Sequence, residues 1–289
     1  FAGLDAFPIC LDTQQPEEIV ETVVRLAPTF GGVNLEDISA PRCIEVERAL
    51  KDKLDIPVFH DDQHGTAIVV LAALKNALEI AEKDLSEVRI AISGAGASGI
   101  AVANFLIEAG AQEIVPVDSS GILRRDDENE YKADLAQRTR ASEEQGDLSD
   151  AMKDADVFIG LSAPGIVSKE MVGSMADDSI VFALANPEPE ILPEDAREAG
   201  AFITATGRSD FQNQVNNSLA FPGVFRGALD VKASSINEEM KEAASEAIQE
   251  FIEPEKDKIV PETLDKELAM DIAEKVSEAA RETGVARKK

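Results

Sequence analysis

The stretch Val58-Phe59-His60-Asp61-Asp62-Gln63-His64-Gly65-Thr66-Ala67 gathers both histidines of the chain and two carboxylates between an apolar strand-like run and an apolar helical run. Asp55 to Phe59 reads as a short buried strand and Ala67 to Leu74 as the opening of a helix, so the polar cluster sits at a strand-to-helix turn. In open α/β sheets such turns line the ligand crevice, and the adjoining helix N-terminus brings free N–H groups and partial positive charge. Asp61 and Asp62 are therefore candidates for chemistry. Other acid pairs, Glu17-Glu18, Asp126-Asp127, Glu143-Glu144 and Asp177-Asp178, lie in polar surroundings and read as solvated faces.

Asn34-Leu35-Glu36-Asp37 places a second acid pair at the end of an apolar strand-like run, one βα unit earlier. Consecutive parallel strands in a right-handed βαβ unit share an edge, so Glu36, Asp37, Asp61 and Asp62 are expected to converge. Clustered carboxylates repel unless a divalent cation neutralises them, and all-oxygen ligation favours Mg²⁺ or Mn²⁺ over Zn²⁺. The competing reading is an ordinary acidic loop facing solvent.

A third constellation is Gly94-Ala95-Gly96-Ala97-Ser98-Gly99, which follows the β-branched run Val88 to Ser93 and opens the apolar helix Ile100 to Ala109. Asp118 stands nineteen residues past Gly99, at the end of the next strand, Ile114 to Val117. G-x-G-x-x-G in that context is a dinucleotide-binding fingerprint. Gly94 permits the tight turn, Gly96 the approach of backbone to pyrophosphate, and Gly99 the packing of helix on strand. Asp118 would bond a ribose 2′-OH, favouring NAD, while Arg124 and Arg125 offer an alternative place for an NADP 2′-phosphate.

The elements that position these residues alternate along the chain. Phe7 to Leu11 reads as a strand, Pro16 to Leu26 as a helix, Val33 to Ile38 as a strand and loop, and Pro41 to Leu54 as a helix. After a charged helical region from Glu128 to Asp150, three apolar runs, Val157 to Ser162, Ile180 to Asn186 and Phe202 to Thr206, read as strands covered on both faces. Their ends carry Ser162, Asn186 and Thr206-Gly207-Arg208-Ser209. Gln212 to Asn217 is amide-rich, suited either to orienting a carboxylate or carboxamide or to capping helices. Helices are expected over Asn237 to Phe251 and Thr263 to Ala280. The fold class is α/β, a Rossmann-type doubly wound parallel sheet with the remnant of a second α/β domain and C-terminal helices. The expected domains are 1–61, a remnant of an N-terminal substrate and metal domain; 62–215, the nucleotide-binding domain; and 216–289, helices packing back on the first segment.

Composition restricts the partners. Of 289 residues, 56 are acidic and 28 are Lys or Arg, a net charge of −28, so binding to nucleic acid or to an anionic membrane is not expected. The acids are spread along the chain and read as a uniformly acidic surface, from which a salt-adapted source is inferred. Cys10 and Cys43 form neither a disulfide framework nor a zinc spacing. With no membrane-length apolar run and no leader pattern, a cytoplasmic protein is expected. The chain opens at Phe1 without Met, from which a missing upstream part is expected.

Asn34 to Ile38, the block His60 to Ala67, the glycine motif and Asn216-Asn217 through Phe221-Pro222-Gly223, in this order and spacing, resemble the malic enzymes, most of all the short prokaryotic type. The resemblance runs along nearly the whole chain. It implies oxidative decarboxylation of (S)-malate to pyruvate and CO₂ with NAD(P)⁺, leaning to NADP, and Mg²⁺ or Mn²⁺. By the same resemblance Glu36, Asp37 and Asp62 would be the metal ligands, and Asp61, Asn186 and Asn217 the catalytic groups. Thr66, Gly94, Gly96, Ala97, Ser98, Gly99, Asp118, Ser162, Asn186 and Asn216 would bind cofactor. A single cation beside the C2 oxygen would serve both hydride transfer and loss of CO₂, since both place negative charge there. The family's general-base lysine and general-acid tyrosine lie upstream of this segment, and Tyr131, the only tyrosine, does not match; Ser120 stands where short members often have lysine. The chain alone is thus expected to bind metal and nucleotide but to turn over poorly. A homo-oligomer, dimer or larger, is implied. The alternatives are a malolactic or amino-acid dehydrogenase-like relative, or a non-catalytic dinucleotide-binding subunit.

Screening of the acidic surface supplies a direct check. The thermal unfolding midpoint, followed by circular dichroism, is expected to rise between about 0.1 and 2 M KCl; a level or falling midpoint would contradict the salt-adapted origin.

Overall fold

The computed structural model describes residues 2–139, 145–263 and 265–288. Its contacts divide into two compact units, one of Phe1–Val69, Asn217–Phe251 and Pro261–Lys289, the other of Val70–Asn216 and Ile252–Val260.

In the first unit, α1 (Pro16–Leu26) begins on a proline, whose missing N–H costs nothing in a first turn, and carries Glu17 and Glu18 against the helix N-terminus. Next come β1 (Val33–Leu35), α2 (Arg42–Lys53) and β2 (Val58–His60). β1 and β2 pair in parallel, Val33 opposite Val58 and Leu35 opposite His60. Ile19 and Val20 of α1 and Val46 and Leu50 of α2 pack with Leu35 and Val58 as one apolar core. The strand expected at Phe7 to Leu11 does not form: the segment is irregular, with Phe7 69% and Ile9 50% exposed. Pro8 offers no N–H to a ladder, and an unpaired apolar run has nothing to hold it extended.

After β2 the chain makes a single π-helical turn, Asp61–Gly65, and runs directly into α3 (Thr66–Ile80). The C-terminal part of this unit is helical, with α9 (Phe221–Asp230), α10 (Glu238–Glu250) and α11 (Lys266–Glu282). Gly223 and Gly227, four apart on one face of α9, allow α11 to come close: a Cβ on Gly223 would lie 2.6 Å from Ile272 Cβ, and one on Gly227 2.6 Å from the Ala273 carbonyl oxygen. Ser277 Oγ donates to the Gly227 carbonyl at 3.0 Å across the same contact. Phe225 meets Phe59 of β2 edge to face, with centroids 5.7 Å apart.

The second unit is a six-stranded sheet in the order β5-β4-β3-β6-β7-β8. Its parallel strands are β3 (Arg89–Ser93), β4 (Glu113–Asp118), β6 (Val157–Gly160), β7 (Ile180–Ala183) and β8 (Ile203–Thr206). β5 (Gly121–Ile122), which the sequence pattern does not announce, adds antiparallel to β4. The crossovers carry α4 (Ala97–Glu108), α5 (Glu130–Arg138), α6 (Leu148–Met152), α7 (Lys169–Gly173) and α8 (Pro193–Glu198). β6, β7 and β8 are buried at every position, as their unbroken apolar runs require of a sheet covered on both sides. Strand order reverses at β3, which has β4 on one side and β6 on the other, so the crevice of a doubly wound sheet opens at the ends of β3 and β6. The charged region before β6 contains α5 and α6; Glu143-Glu144 falls outside the described residues.

Asn213, from the amide-rich stretch, is structural. Its Nδ2 donates to the Thr204 and Lys256 carbonyls, each at 3.0 Å, and its Oδ1 accepts from Ile259 N–H at 2.9 Å, tying Ile252–Val260 into this unit. Among the described residues no helix is long and apolar enough to cross a membrane.

Candidate functional site

Register brings the acids of the first unit together. With Leu35 opposite His60, the residues that follow leave β1 and β2 at one edge, and the Asp37 N–H donates to Asp62 Oδ2 at 3.0 Å. Asp37 reaches this position with a left-handed φ of 58°, a conformation Asp tolerates better than most residues. Partial burial, then the charges of Asp62 and Asp37, hold the Glu36 carboxyl above its ordinary range. Asp61 is 1% exposed, and its Oδ2 accepts from Asn217 Nδ2 at 2.7 Å. Burial, followed by the charges of Glu36 and Asp62, pushes the Asp61 carboxyl up to about 8. Gly65 makes room for this pair: a Cβ there would overlap Asp61 Oδ1 and lie 3.1 Å from Asn217 Cβ.

Among the described residues no three His, Cys, Asp or Glu side chains are gathered into a metal cage. The chemistry of the cluster nonetheless fits a hard cation. Its donors are all carboxylate oxygens, burial and neighbouring charge hold the Glu36 and Asp61 carboxyls above their ordinary range, and Asp61 Oδ1 is buried without a hydrogen-bond partner.

Behind the acids lies a buried ionic cluster. His64 Nε2 meets both Glu47 oxygens at 2.8 and 3.0 Å, Lys51 Nζ lies 2.9 Å from Glu47, and Lys241 Nζ is 3.4 Å from His64 Nδ1 and 2.6 Å from Glu238. Burial holds His64 below its ordinary pKa, and the Glu47 carboxylate, which can only accept, faces its Nε2. Burial of Glu47 opposes its ionisation, but the bond from His64 and the charge of Lys51 outweigh it and hold the carboxyl at about 2. This histidine is scaffold: it fastens the turn bearing Asp61 and Asp62 to α2 and α10. His60 is 0% exposed, and burial lowers its pKa as well.

In the second unit Gly94 turns the chain with a φ of 107° where a Cβ would collide with the Leu161 carbonyl, and a Cβ on Gly99 would overlap the Gly94 carbonyl oxygen. Gly96 faces open space and starts α4 without a side-chain cap. Asp118 ends β4, where its carboxylate accepts from Ser120 N–H at 2.7 Å and pairs with Lys132 Nζ at 2.5 Å. Those bonds outweigh partial burial and lower its pKa. Arg124 is occupied by Asp126 at 2.8 Å on the surface. Ser162 follows β6, exposed Asn186 follows β7, and Asn216 and Thr66 are half-buried in their separate units. Lys132, Glu47 and Lys241 went unseen in the sequence because each reaches its partner through the fold, with only the Glu47 and Lys51 spacing on α2 readable locally.

A family model described as the malic enzyme NAD-binding domain matches residues 63–281. The chain belongs to the malic enzyme family. The bifunctional malic/malolactic enzyme of Bacillus subtilis is 55% identical over 293 residues, covering 99% of this chain and 72% of that protein. The NAD-dependent malic enzyme of Geobacillus stearothermophilus is 54% identical, covering 100% of this chain and 61% of its own length, so the chain spans less than two thirds of that relative. A malic enzyme crystal structure from Pyrococcus horikoshii matches with a TM-score of 0.95 and 46% identity, over 100% of this chain and 70% of that one. In this malic enzyme family member the glycine loop and Asp118 lie inside the matched NAD-binding domain, and Glu36, Asp37, Asp61 and Asp62 precede it.

The Glu47 cluster fixes a sign for acid stability. A carboxyl at about 2 when folded and 4.5 when unfolded stabilises the fold fully above pH 4.5 and loses that contribution as pH falls toward 2. Urea unfolding of Glu47→Gln is expected to show lower stability than the parent at neutral pH and a shallower loss across this window; parallel curves would rule the cluster out as a stabilising element.

Proposed function

We propose that this chain works in metal-dependent oxidative decarboxylation of (S)-malate to pyruvate and CO₂, with reduction of NAD(P)⁺. The observation that carries the reading is the convergence of Glu36, Asp37, Asp61 and Asp62 at one edge of β1 and β2, closed by the Asp37–Asp62 bond. In the first unit Glu36, Asp37 and Asp62 would hold Mg²⁺ or Mn²⁺, which when bound supplies Lewis-acid stabilisation of negative charge on the substrate C2 oxygen. Asn217 orients Asp61 through Oδ2 and leaves Oδ1 free as an acceptor. In the second unit the loop Gly94–Gly99 and the first turn of α4 would receive the pyrophosphate, with Ser162, Asn186 and Asn216 completing the cofactor contacts. A cluster of acids argues for a metal-requiring reaction over the amino-acid dehydrogenase reading. The same proposal carries a homo-oligomer and a cytoplasmic location.

The lean to NADP rests on Lys132. It neutralises Asp118, the acid that would otherwise oppose a 2′-phosphate, and adds a cation beside the end of β4.

Absorbance of NAD(P)H on mixing the chain with (S)-malate, Mn²⁺ and each cofactor at high KCl tests the reaction. Slow cofactor reduction, as expected of a chain without the family's upstream acid/base pair, that disappears in Asp62→Ala is the expected result. Metal-independent reduction, or lactate formed without net reduction, would overturn it. Lys132→Ala is expected to weaken NADP⁺ binding about tenfold, the worth of one charge-assisted bond, with a smaller effect on NAD⁺ in calorimetric titration; an equal effect on both would remove the NADP assignment.

A further inference from the structure

Glu190 is a carboxylate with 0% exposure, and its partners are backbone and hydroxyl donors. Oε1 accepts from Ser162 N–H at 2.9 Å and faces Ser162 Oγ at 3.4 Å; Oε2 accepts from Ala185 N–H at 3.0 Å. Burial raises its pKa despite those donors, so the placement is costly. Its backbone is tied to the same loop, since Val167 N–H donates to the Glu190 carbonyl and Gly165 N–H to the Pro189 carbonyl, each at 3.1 Å. Gly160 is cut away beneath it: a Cβ there would overlap the carboxylate.

The bonds continue. Ser162 Oγ also meets Ser93 Oγ at 2.8 Å, and Ser93 is the last residue of β3 before Gly94. A single chain of hydrogen bonds, Ser93 to Ser162 to Glu190 to Ala185, thus crosses the C-terminal ends of β3, β6 and β7, three neighbouring strands. It starts at the residue before the glycine loop and stops one residue short of Asn186. Resting on the reading that the second unit takes NAD(P), we propose that Glu190 is a positioning residue of the dinucleotide cradle, locking the loop after β6 and the loop after β7 to the turn at Gly94. A carboxylate is required because both oxygens must accept from N–H groups; an amide would turn one N–H against another.

Glu190→Gln tests this. The chain has no tryptophan, so the emission of NADH and NADPH reports binding without interference. The variant is expected to raise the Kd of both by about tenfold, as for loss of a buried bond to a charged group. Its bound dinucleotide is also expected to emit closer to the free wavelength than it does in the parent. A merely structural role would lower the melting temperature and leave that bound spectrum unchanged. A folded variant with the parent's Kd and bound spectrum overturns the proposal. Should Glu190→Gln not fold, Ser93→Ala decides, since it cuts the far end of the chain: a Kd raised about threefold supports the proposal and an unchanged Kd overturns it. A parent chain that binds neither dinucleotide would instead overturn the reading of the second unit, and the proposal with it.

Discussion

Repulsion between carboxylates is the constraint on which the arrangement of this molecule turns. The chain carries a net charge of −28, and it still brings four acids to the ends of two paired strands. Two devices make that tolerable: a backbone N–H of Asp37 on Asp62, and the Asn217 amide on Asp61. Both donors are neutral. They stabilise the acids without cancelling their charge. Gly65 and the π turn belong to the same solution, because only a residue without a side chain leaves space for the Asp61 and Asn217 contact.

The second unit applies the same device in its interior. Glu190 is held by two N–H groups and a hydroxyl, where a lysine or arginine would have pulled the loops toward the surface. Asp118, at the rim, is treated differently and receives a lysine. The contrast has a physical basis: an N–H donor fixes geometry in a space too small for a cation, while Lys132 neutralises the Asp118 charge at the rim.

The two histidines show why proximity in sequence is a poor guide to chemistry. Both stand within the densest polar block of the chain, yet His64 is spent on Glu47 and Lys241, anchoring the turn from behind, and burial keeps His60 from gaining charge. Pro8 makes the complementary point. An apolar run with strand-like composition is an irregular segment that pairs with no strand among the described residues.

By itself the sequence determined the parallel α/β class, the succession of most strands and helices, the glycine loop, and the fact that Glu36, Asp37, Asp61 and Asp62 would share an edge. Each rests on local periodicity, on the backbone freedom of glycine, or on the handedness of a βαβ unit. Only the tertiary structure decided which side chains hold these groups in place. Asn217 on Asp61, Lys241 on His64 and Glu190 on Ser162 join residues 156, 177 and 28 positions apart, and no local pattern encodes such pairings. They follow from burial: a polar group removed from water must find a partner in whatever element the fold brings beside it.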